Sequence, residues 1–402
     1  MNYNEVLIGV PTHLKQSTII QGPGTTGSGK LVLGCGTVKQ IGEHAALLGI
    51  RKILIITDKT IVSLGLMDEI AHSLRINGIE IRIFDNVPPE PQMETMLSAE
   101  EMYRKEPVDA VIGLGGGSCM DVAKLVACLA AADHSADQLM RDSSLITGRI
   151  PCILIPTTSG TGSEVSPYVV AVGEGKKLFI ASPYLYPILA FVDPLLTITM
   201  PPEITAATGL DALSHGVEGV CGIANPYTIG LATQCVEAVF KYLPVAVDQG
   251  DNVAARYQMS FASVLGMLTY TQGGGLYSHS ASYVITTEKG LTHGLGCGLT
   301  LPYTLAYNKS AIEDILERFG SAINRSGFCS VADTTETIEA FLALALKVRI
   351  PTTLREIGYA QQDIEGFAQK MVRDYHRPRN PIELSEESAK ALIAAMYEGT
   401  LM

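Results

Sequence analysis

The sequence predicts two domains, an α/β domain with a parallel sheet over residues 1–199 and an all-α domain over residues 200–402. Three observations lead there. Short β-branched runs alternate with amphipathic stretches through the first half. From Pro201-Pro202 onward that alternation nearly disappears and long segments of helical period follow. At 402 residues the chain is also too long for one small core.

In order along the chain, Ser17–Gln21 and Leu31–Leu33 read as two strands of a hairpin. Lys52–Thr57 (KILIIT), Glu80–Phe84 (EIRIF), Ala110–Leu114 (AVIGL) and Cys152–Pro156 (CILIP) read as strands of a parallel sheet. The intervening helical patterns cover residues 38–48, 61–77, 93–104 and 119–132. In the second half they cover 202–221, 226–246, 251–270, 277–287, 294–306, 309–325, 332–346 and 384–398. The crevice between two such domains is the expected place for a site.

Composition narrows the function classes. Hydrophobic content of 47% with 17% charged residues describes a packed globular chain. A net charge of −12 excludes a phosphate-neutralising face and disfavours an anionic membrane surface. No stretch reaches the ~18–20 apolar residues of a membrane span, and Pro11, His13, Lys15 and Gln16 interrupt any leader-like run. Eight scattered cysteines without a C-x-x-C pair read as reduced thiols, so a cytoplasmic location is expected.

Three glycine loops follow strands or strand-like runs. Gly24–Lys30 matches most of a phosphate-binding loop, but Leu31 stands where the metal-holding hydroxyl belongs, and a hairpin turn is the better reading. Gly115-Gly116-Gly117-Ser118 follows a strand and opens a helix, so its backbone N–H groups can form an anion cradle; a tight turn is the competing reading. Thr157–Ser163 carries five hydroxyls after the next strand, suited to phosphate, ribose or a carboxamide, or simply to solvent. Two such loops after two parallel strands raise the expectation of a dinucleotide-binding sheet. Asp58, ending the strand Lys52–Thr57, can accept ribose hydroxyls or cap the helix that follows.

The second half carries a candidate metal set. Asp211 and His215, four apart, share one helix face. His279 and His293 are fourteen apart, ~21 Å in one unbroken helix, so Gly290 must break the helix to bring them together. A carboxylate with three imidazoles suits Fe²⁺ or Zn²⁺, whereas a surface Asp/His pair is the plain alternative.

Taken together, Gly115–Lys124 (GGGSCMDVAK), Pro156–Glu164 (PTTSGTGSE), Gly209–Glu218 (GLDALSHGVE), His279 and His293-Gly294 resemble, in order and spacing, the iron-containing (group III) alcohol dehydrogenase family. The resemblance runs from about residue 17 to the end and includes Asn380-Pro381. It implies a dinucleotide-binding α/β domain and a helical metal-binding domain. It implies Asp211, His215, His279 and His293 as ligands of one divalent metal, Fe²⁺ ahead of Zn²⁺. It also implies Asp58, Gly116, Gly117, Ser118, Asp121, Thr157, Thr158 and Lys177 at NAD.

The activity so implied is NAD-dependent hydride transfer to or from a small alcohol or aldehyde, by a homo-oligomer with no nucleic-acid or membrane partner. One departure stands out. Tyr283 occupies the second position of the family's H-x-x-x-H, where a histidine is expected near the nicotinamide as proton carrier, and a phenol with an ordinary pKa of ~10 is a poorer shuttle. Glu90 is a second position where cofactor contacts can differ. A hydroxyacid–oxoacid transhydrogenase or a maleylacetate-reductase-like enzyme is the alternative on the same fold.

Overall fold

The structure is a computed structural model that describes residues 3–21, 29–173 and 175–402. The loop Gly24–Ser28, most of the phosphate-loop look-alike, lies outside the described residues. Internal packing divides the chain into two units: Met1–Thr158 with Gly162–Thr199, and Ser159–Thr161 with Met200–Met402.

Among the described residues the first unit holds nine strands: β1 (Thr18–Gln21), β2 (Lys30–Leu33), β3 (Lys52–Ile56), β4 (Glu80–Phe84), β5 (Ala110–Gly115), β6 (Cys152–Pro156), β7 (Tyr168–Gly173), β8 (Lys176–Ala181) and β9 (Leu189–Val192). Seven form one sheet in the order β1-β2-β9-β6-β5-β3-β4, all parallel except the β1–β2 pair. β7 and β8 form a separate antiparallel pair.

The central strands are apolar throughout because both faces are covered. Ile53, Ile55, Ala110, Ile112, Ile153 and Ile155 enter one core; Leu54, Ile56, Val111, Cys152 and Leu154 enter the other. In such a sheet the loops at the carboxyl ends of β3, β5 and β6 are the natural ligand positions.

Several local readings change, these among them. The helical period over 61–77 is broken into Lys59–Ser63 and Asp68–Ile76, with Gly65 left-handed at φ +70° between them. β7, β8 and β9 are additional strands. In the second unit, helix Ile364–Asp374 is additional.

The second unit is helical and, among the described residues, has no strand. Its long helices are Pro202–Gly222, Pro226–Asp248, Val253–Gly273, Tyr277–Lys289, His293–Asn308, Glu313–Ser326, Thr334–Lys347, Ile364–Asp374 and Glu386–Glu398. No helix among the described residues is long and apolar enough to cross a membrane.

Candidate active site

In the second unit, helix Pro202–Gly222 carries Asp211 and His215 on one face, with His215 Nε2 3.9 Å from Asp211 Oδ1. Helix Tyr277–Lys289 carries His279 and ends on Gly290, left-handed at φ +66°. The chain reverses there, and His293 becomes the first residue of the next helix. His293 Nε2 thereby comes 3.7 Å from Asp211 Oδ1. The His279 ring lies 4.9 Å from that of His215 and 5.1 Å from that of His293. Donor atoms of Asp211, His279 and His293, with Sγ of Cys297, all lie within 4.8 Å of one another.

Neighbouring groups fix two imidazole tautomers. Glu218 Oε1 lies 2.6 Å from His279 Nδ1. Burial drives the His279 pKa well below its usual value, so the ring is neutral. A neutral ring facing a carboxylate carries its proton on Nδ1, which leaves a lone pair on Nε2. That Nε2 is buried without a hydrogen-bond partner, in a residue 1% exposed.

Ser282 Oγ donates to the carbonyl of His293 at 2.7 Å and lies 2.8 Å from its Nδ1. A hydroxyl has one proton, so Ser282 accepts from Nδ1–H and Nε2 presents its lone pair, 3.5 Å from Cys297 Sγ. These residues fit a metal ion. Ligands at ~2.0–2.1 Å in a tetrahedral site stand about 3.4 Å apart, close to the 3.7 and 3.9 Å separations found. An orphaned buried nitrogen otherwise costs about 1–3 kcal/mol.

Burial also pushes the Glu218 carboxyl up to about 7, so it is above that pH that the carboxylate holds the proton on His279 Nδ1. Tyr283 stacks on His293 at 5.1 Å and meets Tyr375 edge-on at 5.3 Å, with the Arg377 guanidinium 5.4 Å from its ring centre. Burial raises its phenol pKa while Arg377 pulls it back. Tyr270 packs edge-on against His215.

Glu218, Ser282 and Cys297 had no role in the sequence reading, although their spacing held a signal. Glu218 is three residues beyond His215, Ser282 three beyond His279, and Cys297 four beyond His293, so each shares its ligand's helix face.

In the first unit, helix Gly117–Leu129 starts directly after β5, and its N-cap Gly116 makes no side-chain cap bond. The first-turn N–H groups, from Gly117 and Ser118 onward, are thus not capped by it. Gly115 is left-handed at φ +147°, and a Cβ there would fall 2.7 Å from Cys119 Sγ. Only glycine fits this approach. Thr158 stands beside Gly116, 3.6 Å from where a Cβ would be, and the Thr157 N–H donates to the Gly115 carbonyl at 2.9 Å. The loop fits an anionic phosphate group.

Asp58 caps helix Lys59–Ser63, its Oδ1 accepting from the Ile61 N–H at 2.9 Å. Asp121 is drawn inward. Its Oδ1 accepts from Ser163 at 2.6 Å and its Oδ2 from the Val170 N–H at 2.9 Å, while the fully buried Lys124 lies 3.6 Å away. Lys177, on β8, pairs with Glu90, whose backbone is left-handed at φ +55°.

Comparison with known proteins covers nearly the whole chain. Residues 28–194 match the family model described as iron-containing alcohol dehydrogenase, and residues 205–397 match its C-terminal counterpart. The chain is 35% identical to long-chain-alcohol dehydrogenase 1 of Geobacillus thermodenitrificans, over 92% of this chain and 95% of the relative. It is 31% identical to 1,3-propanediol dehydrogenase of Klebsiella pneumoniae, over 90% and 96%. Among solved structures, a 1,3-propanediol oxidoreductase superposes with a TM-score of 0.86 at 29% identity, covering 91% and 97% of the two chains. A sulfoacetaldehyde reductase from Bifidobacterium kashiwanohense, solved with NAD⁺, gives 0.84 at 30% identity, covering 91% and 96%.

Proposed function

Since this chain belongs to the iron-containing alcohol dehydrogenase family and is an oxidoreductase of CH–OH donors, we propose that Asp211, His215, His279 and His293 hold its metal. On this reading Gly116, Gly117, Ser118, Thr157 and Thr158 seat the cofactor phosphates. Asp58 binds the ribose and thereby selects NAD over NADP. The substrate is a small alcohol or its aldehyde.

When bound, a divalent metal supplies Lewis acidity that lowers the pKa of an alcohol oxygen or polarises a carbonyl, and the nicotinamide carries the hydride. The residues of the chain do the rest. Glu218 and Ser282 each hold a proton on Nδ1 of an imidazole, so that Nε2 stays available as a donor. Tyr283 places a phenol beside His293, and Arg377 sets a fixed positive charge against that phenol's ring.

The observation that carries the reading is the buried, partnerless Nε2 of His279 beside a carboxylate and two more imidazoles. Iron is the first choice of metal and zinc the second, since this donor set suits both. His279→Ala should lose metal and turnover together, measured by metal analysis of anaerobically purified protein and an NADH-linked assay with short aldehydes and diols. A metal-free His279→Ala protein with the parent rate would sink the proposal.

A further inference from the structure

Cys297 sits four residues beyond His293 on the same helix, which puts the two side chains on one face. It is fully buried, and its Sγ lies 3.5 Å from His293 Nε2. Two other buried cysteines behave differently: Cys235 donates to the carbonyls of Ala212 and Ala262, and Cys128 to that of Tyr184. Such thiols act as small apolar groups with a weak donor. The sulfur of Cys297 instead faces an imidazole nitrogen whose tautomer, set by Ser282, presents a lone pair.

Two further observations point to a ligand there. His279, 1% exposed and with a partnerless Nε2, is one of the three residues whose donor atoms group with this sulfur inside 4.8 Å. The 3.5 Å separation of Sγ and Nε2 also matches a shared ion. Metal–sulfur and metal–nitrogen bonds of ~2.3 and ~2.05 Å at a tetrahedral angle span about 3.6 Å. The sulfur has little room to move elsewhere. A Cβ on Gly296 would strike Ser282 Oγ at 2.6 Å, and one on Gly298 would strike Leu210 Cδ1 at 2.4 Å, so this helix is pressed against its neighbours on both sides of Cys297.

We infer that Cys297 Sγ is an additional donor to the metal in the substrate-free enzyme. The inference rests on the metal reading proposed above. The thiol proton leaves to solvent as the metal binds, and no oxidation or reduction takes place. A thiolate tilts an otherwise hard and borderline set toward softer ions, so this chain should hold zinc more tightly than the same site without sulfur.

Zinc-loaded full-length protein, without substrate, is examined by X-ray absorption at the zinc edge. The expected spectrum contains a sulfur shell at ~2.3 Å beside nitrogen and oxygen at ~2.0–2.1 Å. In Cys297→Ser the sulfur shell disappears while zinc stays bound. The cobalt-loaded protein should show a near-ultraviolet thiolate-to-cobalt band that the variant lacks. If Cys297→Ser fails to fold, Cys297→Ala takes its place in both measurements. A wild-type spectrum with only nitrogen and oxygen neighbours, or a sulfur shell retained in the variant, overturns this inference and leaves the metal reading standing. A wild-type chain that binds no zinc, cobalt or iron overturns both.

Discussion

Replacing Glu218 by glutamine perturbs the proposed metal centre without touching any of its ligands. The Glu218 carboxylate is 2% exposed and accepts from the Leu276 N–H, from the His279 N–H at 3.4 Å and from His279 Nδ1 at 2.6 Å. An amide has one oxygen and one NH₂, so it cannot serve both ends. If the oxygen stays with Leu276, the NH₂ faces Nδ1, which must then accept. The ring proton moves to Nε2 and the donor lone pair is lost. If the oxygen turns to Nδ1, the NH₂ meets the Leu276 N–H, and two buried donors oppose each other at a cost of about 1–3 kcal/mol.

Either arrangement weakens the metal. Loss of an outer carboxylate of this kind costs about 10–100-fold in affinity, or about 1.4–2.7 kcal/mol. A competition titration against a chromophoric chelator reads the affinity directly. The gain in melting temperature on adding metal should shrink in parallel. Affinity within twofold of the parent in a folded Glu218→Gln protein would refute the tautomer argument.

Three further outcomes are expected. Burial moves the Glu164 carboxyl from 4.5 to about 7, with Lys124 pulling it back. A pKa raised on folding contributes stability that is complete below about 4.5 and is lost as pH rises through about 7, so Glu164→Gln should melt higher than the parent at pH 8 and alike at pH 4.5. The gap is about 3 kcal/mol, and parallel stability–pH curves for the two proteins would exclude it. If Tyr283 handles the proton, Tyr283→Phe should lower kcat and remove the alkaline limb of its pH profile, and Tyr283→His should bring that limb toward neutrality; unchanged profiles would leave the phenol without a proton role. Asp58→Ser keeps a helix-capping oxygen and removes the charge, so the kcat/KM ratio for NADP over NAD should rise at least ~10-fold, about 1.4 kcal/mol, with little change in melting temperature; a constant ratio would take cofactor choice away from Asp58.

How far the fold could be read from sequence depended on how each element is buried. β3, β5 and β6 were legible because strands covered on both faces are apolar runs. β9 escaped because four residues, LAFV, carry no pattern, and β7 and β8 because they form a half-exposed pair apart from the main sheet. Helix Ile364–Asp374 shows Ile364, Phe367, Ala368, Met371 and Val372 at helical spacing, but Gly366 in its first turn hides the pattern.

At the site, Asp211 with His215 was visible as a spacing, while His279 with His293 needed the left-handed break at Gly290 before the two could meet. Glu218 and Cys297 obeyed the same spacing rule and were passed over, because a carboxylate or thiol on a helix face gains meaning only once that face is known to look at another ligand.

The glycines of the second unit were the least legible feature and are physically bound to the ligand set. Helix Pro202–Gly222 contains glycine at 209, 216 and 219 and ends on Gly222; each interior glycine costs about 1 kcal/mol against alanine. Local propensity therefore argues against this helix, and tertiary packing overrides it. A Cβ on Gly219 would fall 2.6 Å from the backbone of Thr269 and Tyr270, and one on Gly294 would fall 2.2 Å from the Ala207 carbonyl. At these points helix backbones touch with no side chain between them. Asp211 has a short side chain, and its Oδ1 can lie 3.7 Å from His293 Nε2 because Gly294 lets the next helix approach that closely. The ligand helices thus join two requirements: the carboxylate and imidazoles supply donors, and Gly219 and Gly294 bring the backbones near enough for donors on three helices to face one point.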